Sequence, residues 1–275
     1  MEQEAYFAAA AKWLAEHEHN YVSEADALRD DLIGMQMYDE PLFGVADAAD
    51  PLFPELQKPE VDHPDYWLPQ KWLPGAKRII SCFMPFTTQV KKSNEADMQE
   101  PSAEWLHCRI EGQEMVALFG TYLRDELIKA GYEAVCPTVD ERFCMLTPRK
   151  ACWSERHTAF ICGLGTFGMS KGIITAKGMA GRLVSVITDC PFEVTPRPYT
   201  DRYEYCTKCG KCARNCPVKA IDPQRPLDQA KDHDICEPFT YQTKAAKMHG
   251  DTEKRYFGCG KCQVGVPCRD RIPAK

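Results

Sequence analysis

The chain has 275 residues, enough for one large domain and a smaller one, and its 44% hydrophobic content is ordinary for a globular protein. No apolar run approaches the roughly 18 residues of a membrane span, and the acidic MEQEAYF start lacks the basic region of a signal peptide. Net charge is −6, which with no basic stripe interleaved with aromatics argues against a nucleic-acid surface.

Residues 1 to about 32 read as helical, the first part amphipathic. From Met35 to Pro74 the chain is rich in Asp, Pro and aromatics and reads as packed, irregular loop. Ala76 to Pro85 reads as a buried strand. Residues 102–130 predict one long helix, with Ile110, Met115, Leu118, Phe119, Leu123 and Leu127 at helical spacing and Gly131 as its C-terminal stop. Tyr132 to Val139 predicts a second strand. Ser154 to Cys162 predicts a helix with Ser154 as N-cap, and Leu183 to Thr188 a third strand. A proline-containing linker follows to about residue 200.

Gly163-Leu-Gly165-Thr-Phe-Gly168 matches G-x-G-x-x-G, but a helix precedes it and no acidic residue follows at about twenty residues, so it fails as a dinucleotide fingerprint. These glycines still permit close backbone approach, either to a cofactor or to a neighbouring strand.

The tail is the most specific segment. Cys206, Cys209, Cys212 and Cys216-Pro217 have the Cys-x2-Cys-x2-Cys-x3-Cys-Pro spacing of bacterial iron–sulfur proteins. Three cysteines two residues apart bind three corners of a cubane from one tight loop. Gly210 relieves crowding against sulfide, and Pro217 stops the turn from continuing as helix. Cys236 stands alone, and Cys259, Cys262 and Cys268 complete a set of eight, the number two [4Fe–4S] clusters need. Zinc favours paired knuckles and fits this spacing poorly. Residues 201–275 hold 15 Lys+Arg and 10 Asp+Glu, a balance of +5, whereas the 19 basic and 30 acidic residues before them balance at −11. Basic residues there offset cluster charge. Fifteen cysteines without an export signal predict a reducing cytoplasm and an anaerobic or microaerobic host. The seven cysteines outside the tail read as core filling.

The ordered combination of Ala76–Pro85, Glu155-Arg156 with Ala159, the Gly163–Gly168 segment, Gly181–Asp189 and the eight-cysteine tail resembles epoxyqueuosine reductases and, more distantly, corrinoid-dependent reductive dehalogenases. The resemblance covers roughly residues 75–270. It implies a mixed α/β (α+β) fold, with a nitroreductase-like core over 1–200 and a two-[4Fe–4S] ferredoxin-like domain over 201–275. It implies that Cys206, Cys209, Cys212 and Cys268 hold one cluster, and Cys216, Cys236, Cys259 and Cys262 the other. It also implies cobalamin between core and clusters, with Gly163, Gly165, Gly168 and Lys171 as cofactor contacts. Ferredoxin or flavodoxin would be the electron donor, and a small molecule the substrate of a cobalamin-dependent reductase.

Three departures stand out. Five residues, rather than three, precede Cys268. The family's proton-donating aspartate precedes the Glu-Arg pair, where this chain has Arg149, leaving Asp140 as the candidate if 141–154 is an insertion. The helical-repeat extension associated with tRNA binding does not follow the cluster segment, so tRNA is not expected as a partner. The alternative reading is a non-catalytic electron-transfer protein, or a reductive activator of a partner corrinoid protein.

Overall fold

The structure is a computed structural model, and it describes residues 1–244 and 256–274. Helix α1 (Gln3–Glu16) buries Tyr6, Ala10 and Leu14, a single stripe at four-residue spacing. The helix expected to run to about 32 stops at His17, and only short 3-10 turns follow at Glu18–Asn20 and Asp30–Leu32. The cause is Asn20: its buried side-chain amide donates to Leu14 O and Tyr38 O and ties the chain into a reversal.

The segment read as irregular loop contains strand β1 (Leu42–Asp47), followed by short helices α2 (Leu52–Glu55) and α3 (Pro69–Trp72). β1 lies at the sheet edge, and its Gly44 hid it from a propensity reading. A Cβ on Gly44 would sit 2.3 Å from Cys162 O, so glycine is needed for backbone approach. Strand β2 (Arg78–Pro85) is buried at every position after Arg78. Helix α4 (Thr88–Ala96) is capped by Thr87, and α5 (Ala103–Arg109) by Ser102.

Helix α6 (Glu111–Lys129) then starts anew. The single helix expected over 102–130 is therefore broken at Ile110, with φ −99 and ψ −75. Buried Tyr38 reaches this point from another part of the chain, its hydroxyl donating to Gly112 O at 2.8 Å. α6 ends as its sequence indicates, with Gly131 at φ +88.

Strand β3 is only Ala134–Val135, because Pro137 opens a 3-10 turn over Pro137–Val139. A hairpin of β4 (Met145–Thr147) and β5 (Lys150–Ala151) precedes α7 (Glu155–Ile161). Ser154 occupies the N-cap position but makes no side-chain cap, its hydroxyl pairing instead with His157 Nδ1 at 2.9 Å. Strands β6 (Gly165–Phe167) and β7 (Ile173–Thr175) form a second small hairpin, and β8 (Gly181–Thr188) returns to the main sheet. Short helices α8 (Lys211–Arg214) and α9 (His233–Thr240) lie in the tail.

The main sheet has the order β1-β2-β8-β3 and is antiparallel throughout, with Ile80 opposite Val186 and Phe83 opposite Leu183. Alternate residues feed two cores. Ile80, Cys82, Val184 and Val186 meet α1 and α6, while Ile79, Phe83 and Ile187 meet α7, Trp153 and Trp72. Both faces are covered, which is why β2 reads as a continuous apolar run. Phe119, fully buried between α6 and the sheet, should lose about 3–5 kcal/mol on replacement by alanine. Urea unfolding of Phe119→Ala checks this.

The C-terminal segment docks on α4 and α5. Asn94 Nδ2 donates to Cys259 O at 3.0 Å, and the fully buried Lys261 ammonium donates to Asn94 O and Oδ1. Lys91 pairs with Asp270 at 2.6 Å, and Met179 N donates to Cys268 O at 3.1 Å.

Candidate iron–sulfur and cavity site

Eight thiols fall into two groups. Cys206, Cys209, Cys212 and Cys268 line one small recess, together with Gly168, Met169, Met179 and Val266. Cys216, Cys236, Cys259 and Cys262 lie in the wall of a cavity of about 970 Å³. Sequence spacing brings Cys206, Cys209 and Cys212 together, and Cys259 with Cys262, but not the other three. The loop around Cys209 turns through left-handed residues, Lys208 at φ +55 and Gly210 at φ +67, and that around Cys262 through Gly260 at φ +73 and Gly265 at φ +59. Gly210 is needed for its backbone conformation rather than for room, since a Cβ there would meet only the Arg214 side chain at 3.3 Å and Pro223 at 3.7 Å. The longer spacer before Cys268 passes through the Gly265 turn, held by Asn215 Nδ2 donating to Val264 O.

Among the described residues no three Cys, His, Asp or Glu side chains converge at the spacing of ligands to one ion. A four-iron cluster instead takes one thiolate per iron around its periphery. The chemistry of the donor set fits such a cluster. Burial first, then the neighbouring thiols, pushes Cys212, Cys259 and Cys268 each up to about 12. Four thiolates so enclosed need a cationic core to stay ionised. Lys231 stands beside the second group. Burial lowers its pKa, but Cys262, Cys236 and Cys216 outweigh that and hold it raised.

The large cavity runs from the second thiol group to the core. Its wall includes Phe83, Phe86 and Trp105 from the core, Arg156 and His157 from α7, and Tyr203 from the linker end. His157 is pushed down to about 3, by burial first and then by Arg202 and Arg156, so its imidazole is neutral. Glu155 also borders the cavity. Its Oε1 accepts from Thr138 Oγ1 at 2.7 Å, while Oε2 is buried with no partner. Burial raises its pKa, against the opposing pull of Thr138 and of the side chain and backbone of nearby Ser185. A carboxyl with a raised folded pKa costs nothing below the ordinary carboxylate range; the cost grows as pH rises through that range and levels off above the folded value. Glu155→Gln should therefore match the native Tm in acid and exceed it increasingly as pH rises to neutrality, as a pH series of thermal melts would show.

The other expected site residues lie differently. Gly165 admits β7: a Cβ there would sit 2.0 Å from Ile174 O. Gly163, at φ +83, faces Pro196 O and Thr195. Gly168 abuts Ile174 and borders the first thiol recess, not the large cavity. Of the two options left open for the segment, these contacts are with protein. Lys171 lines the large cavity, but its ammonium donates to Tyr203 OH, Leu227 O and Asp228 O at 2.7–3.0 Å, so its three N–H groups clamp the glycine loop to the tail. Asp140 lies outside the cavity wall. Arg142 holds it bidentately at 2.7 and 2.8 Å and keeps its carboxyl below the ordinary range, a poor setting for a proton donor. Glu155 was visible in sequence only as part of the Glu-Arg pair; nothing local signals its buried Oε2.

Residues 199–222 match the family model for the 4Fe-4S binding domain. No curated protein matches the sequence. Among solved structures, epoxyqueuosine reductase from Streptococcus thermophilus aligns with 100% of this chain and 69% of its own, at 16% identity and TM-score 0.50. The enzyme from Bacillus subtilis aligns over 86% of this chain and 66% of its own, at 19% identity and TM-score 0.51. A reductive dehalogenase whose structure suggests a mechanism for B12-dependent dehalogenation aligns over 85% and 30%, at 14% identity and TM-score 0.51. The chain shares the fold of these reductases. The expected resemblance and the mixed helix–sheet fold with a 4Fe–4S motif are thus borne out, although the chain spans less than two thirds of the Bacillus enzyme and of the dehalogenase. One epoxyqueuosine reductase is solved with a tRNA stem loop, at 20% identity over 87% of this chain and 64% of its own, TM-score 0.48. Among the described residues no helix is long and apolar enough to cross a membrane.

Proposed function

We propose that the chain is a cytoplasmic two-[4Fe–4S] oxidoreductase that passes single electrons from a low-potential donor to a corrinoid and so reduces a small molecule. The observation that carries this reading is the cavity of about 970 Å³, walled at once by the core and by Cys216, Cys236, Cys259 and Cys262. That volume is at the upper end of ligand pockets, large enough for a bulky cofactor. Its wall mixes aromatic and basic groups, which suits a large amphipathic molecule. A corrinoid held there would supply a strongly reducing, nucleophilic cobalt centre.

In this reading the division into a core of 1–200 and a cluster segment of 201–275 has a functional sense. Cys209 is exposed, so the Cys206, Cys209, Cys212 and Cys268 group is the one a ferredoxin or flavodoxin would approach. Cys216, Cys236, Cys259 and Cys262 form the inner group. Lys231 sets the charge beside it. Neutral His157 and the aromatic groups give the cavity an uncharged part of its wall, and Glu155 is the carboxyl best suited to hold a proton, at Oε2.

Anaerobic reconstitution with iron and sulfide, followed by titration with cob(II)alamin, tests the reading. Saturable binding with a shifted EPR spectrum is expected. No binding by the cluster-loaded protein would leave the second reading, an electron-transfer protein or an activator of a partner corrinoid protein. The observation favouring that second reading is the protein-occupied glycine loop with Lys171 already spent.

A further inference from the structure

Two arginines on the cavity wall have no ion-pair partner among the described residues. Arg109 ends α5, Arg182 opens β8, and both line the cavity. The Arg182 guanidinium donates through one terminal nitrogen to Arg109 O at 3.2 Å, and its Nε is buried without a partner. The Arg109 guanidinium lies over the Phe257 ring at 4.5 Å. Neither makes an ion pair among the described residues, unlike Arg29, Arg78, Arg142, Arg149, Arg197 and Arg269. Burial first, and then Arg182, pushes Arg109 down to about 10. The charges acting on it among the described residues are Arg182, Tyr241 and Tyr38, none a carboxylate.

Two like charges, partly desolvated and side by side, are costly unless something anionic joins them. The charge of the inner thiol group does not explain them. Lys231 is the cation that responds to Cys262, Cys236 and Cys216, whereas no cluster cysteine is among the charges acting on Arg109. Two guanidinium forks with free N–H groups match the planar or tetrahedral oxygens of an oxyanion.

We infer that Arg109 and Arg182 form an oxyanion-binding site on the cavity wall, which takes a carboxylate or phosphate group of the molecule bound there. The site deepens the reading of the cavity as a binding chamber, since it gives the occupant an anionic group. That group belongs either to the substrate or to the phosphodiester of a corrinoid.

The test uses full-length, cluster-loaded protein and inorganic phosphate, titrated calorimetrically at constant ionic strength. One saturable site is expected. Arg109→Gln and Arg182→Gln should each weaken it at least about tenfold, the loss of charge-assisted hydrogen bonds, and Arg182→Lys should weaken it less. Circular dichroism and iron content show that the variants fold. Tm should not fall, because each variant relieves a like-charge contact. No phosphate binding by the native protein would overturn the inference. So would unchanged binding in both glutamine variants, whether or not their cluster potentials or Tm shift.

Cobalamin and cobinamide, which lacks the phosphodiester, identify the source. If cobalamin affinity falls in the variants and cobinamide affinity does not, the anion is the cofactor's. If both corrinoids bind the variants as they bind the native protein while phosphate binding is lost, it is the substrate's. Phosphate binding without any corrinoid binding would sink the corrinoid reading and leave the site standing.

Discussion

Cys268→Ser is expected to halve the iron content, from about eight to about four per chain, on the proposal that the chain holds two four-iron clusters. The thiol shares its recess with Cys206, Cys209 and Cys212, and burial together with Cys206 and Cys209 pushes it up to about 12. A serine oxygen at that place is a poorer ligand, and three thiolates remain. The proposed cluster in the wall of the large cavity should survive, because none of its four cysteines lines the recess that holds Cys268. Iron analysis after anaerobic reconstitution, with EPR of the reduced protein, reads the result. Retention of about eight irons, or loss of all, would refute the partition into two groups.

Gly178→Val should have the same effect on iron by a different route, and a larger one on stability. Gly178 has φ +80, and a Cβ there would lie 2.0 Å from Arg269 O and 2.3 Å from Arg269 C. Backbone cannot yield as a flexible side chain can. The tail must leave its seat, breaking the Met179 N to Cys268 O hydrogen bond and withdrawing Cys268 from the recess. A loss above about 4 kcal/mol is expected, in the range reserved for such steric faults. Gly131→Ala is the control: its φ is +88, but nothing lies within 4 Å of the added carbon, so only the left-handed backbone cost of about 1–2 kcal/mol applies. Denaturant melts of both variants, with iron counts, separate the steric effect from the backbone effect. Equal losses would show that Gly178 serves its turn alone.

The parts of this fold legible in the sequence were those governed by neighbours in the chain. β2 and β8 declare themselves because strands covered on both faces are continuously apolar, and Gly131 because a helix end needs a left-handed residue. The misreadings occurred where a distant residue intervenes. Asn20 ends the first helix by reaching Leu14 O and Tyr38 O, and Tyr38 meets the break between α5 and α6. β1 was missed because Gly44 answers to Cys162, far away in the chain. Lys171, expected at a cofactor, lines the large cavity, and its ammonium also meets Tyr203, Leu227 and Asp228, partners that spacing does not reveal.

The same division holds for the site. Sequence alone determined the iron–sulfur chemistry, because three thiols on one tight loop are a local arrangement that spacing records. Only the tertiary structure decided which distant thiols share a wall, since Cys236 rides on α9, tied to Arg149 through Asp234 and Glu237, and Cys268 is seated by the turn at Gly178. It also decided that a large cavity adjoins one group, and that Arg109 and Arg182, 73 positions apart, meet there with no ion-pair partner among the described residues. Long-range burial and charge leave no periodic trace in a chain, so these features become visible only when β8 lies beside the end of α5.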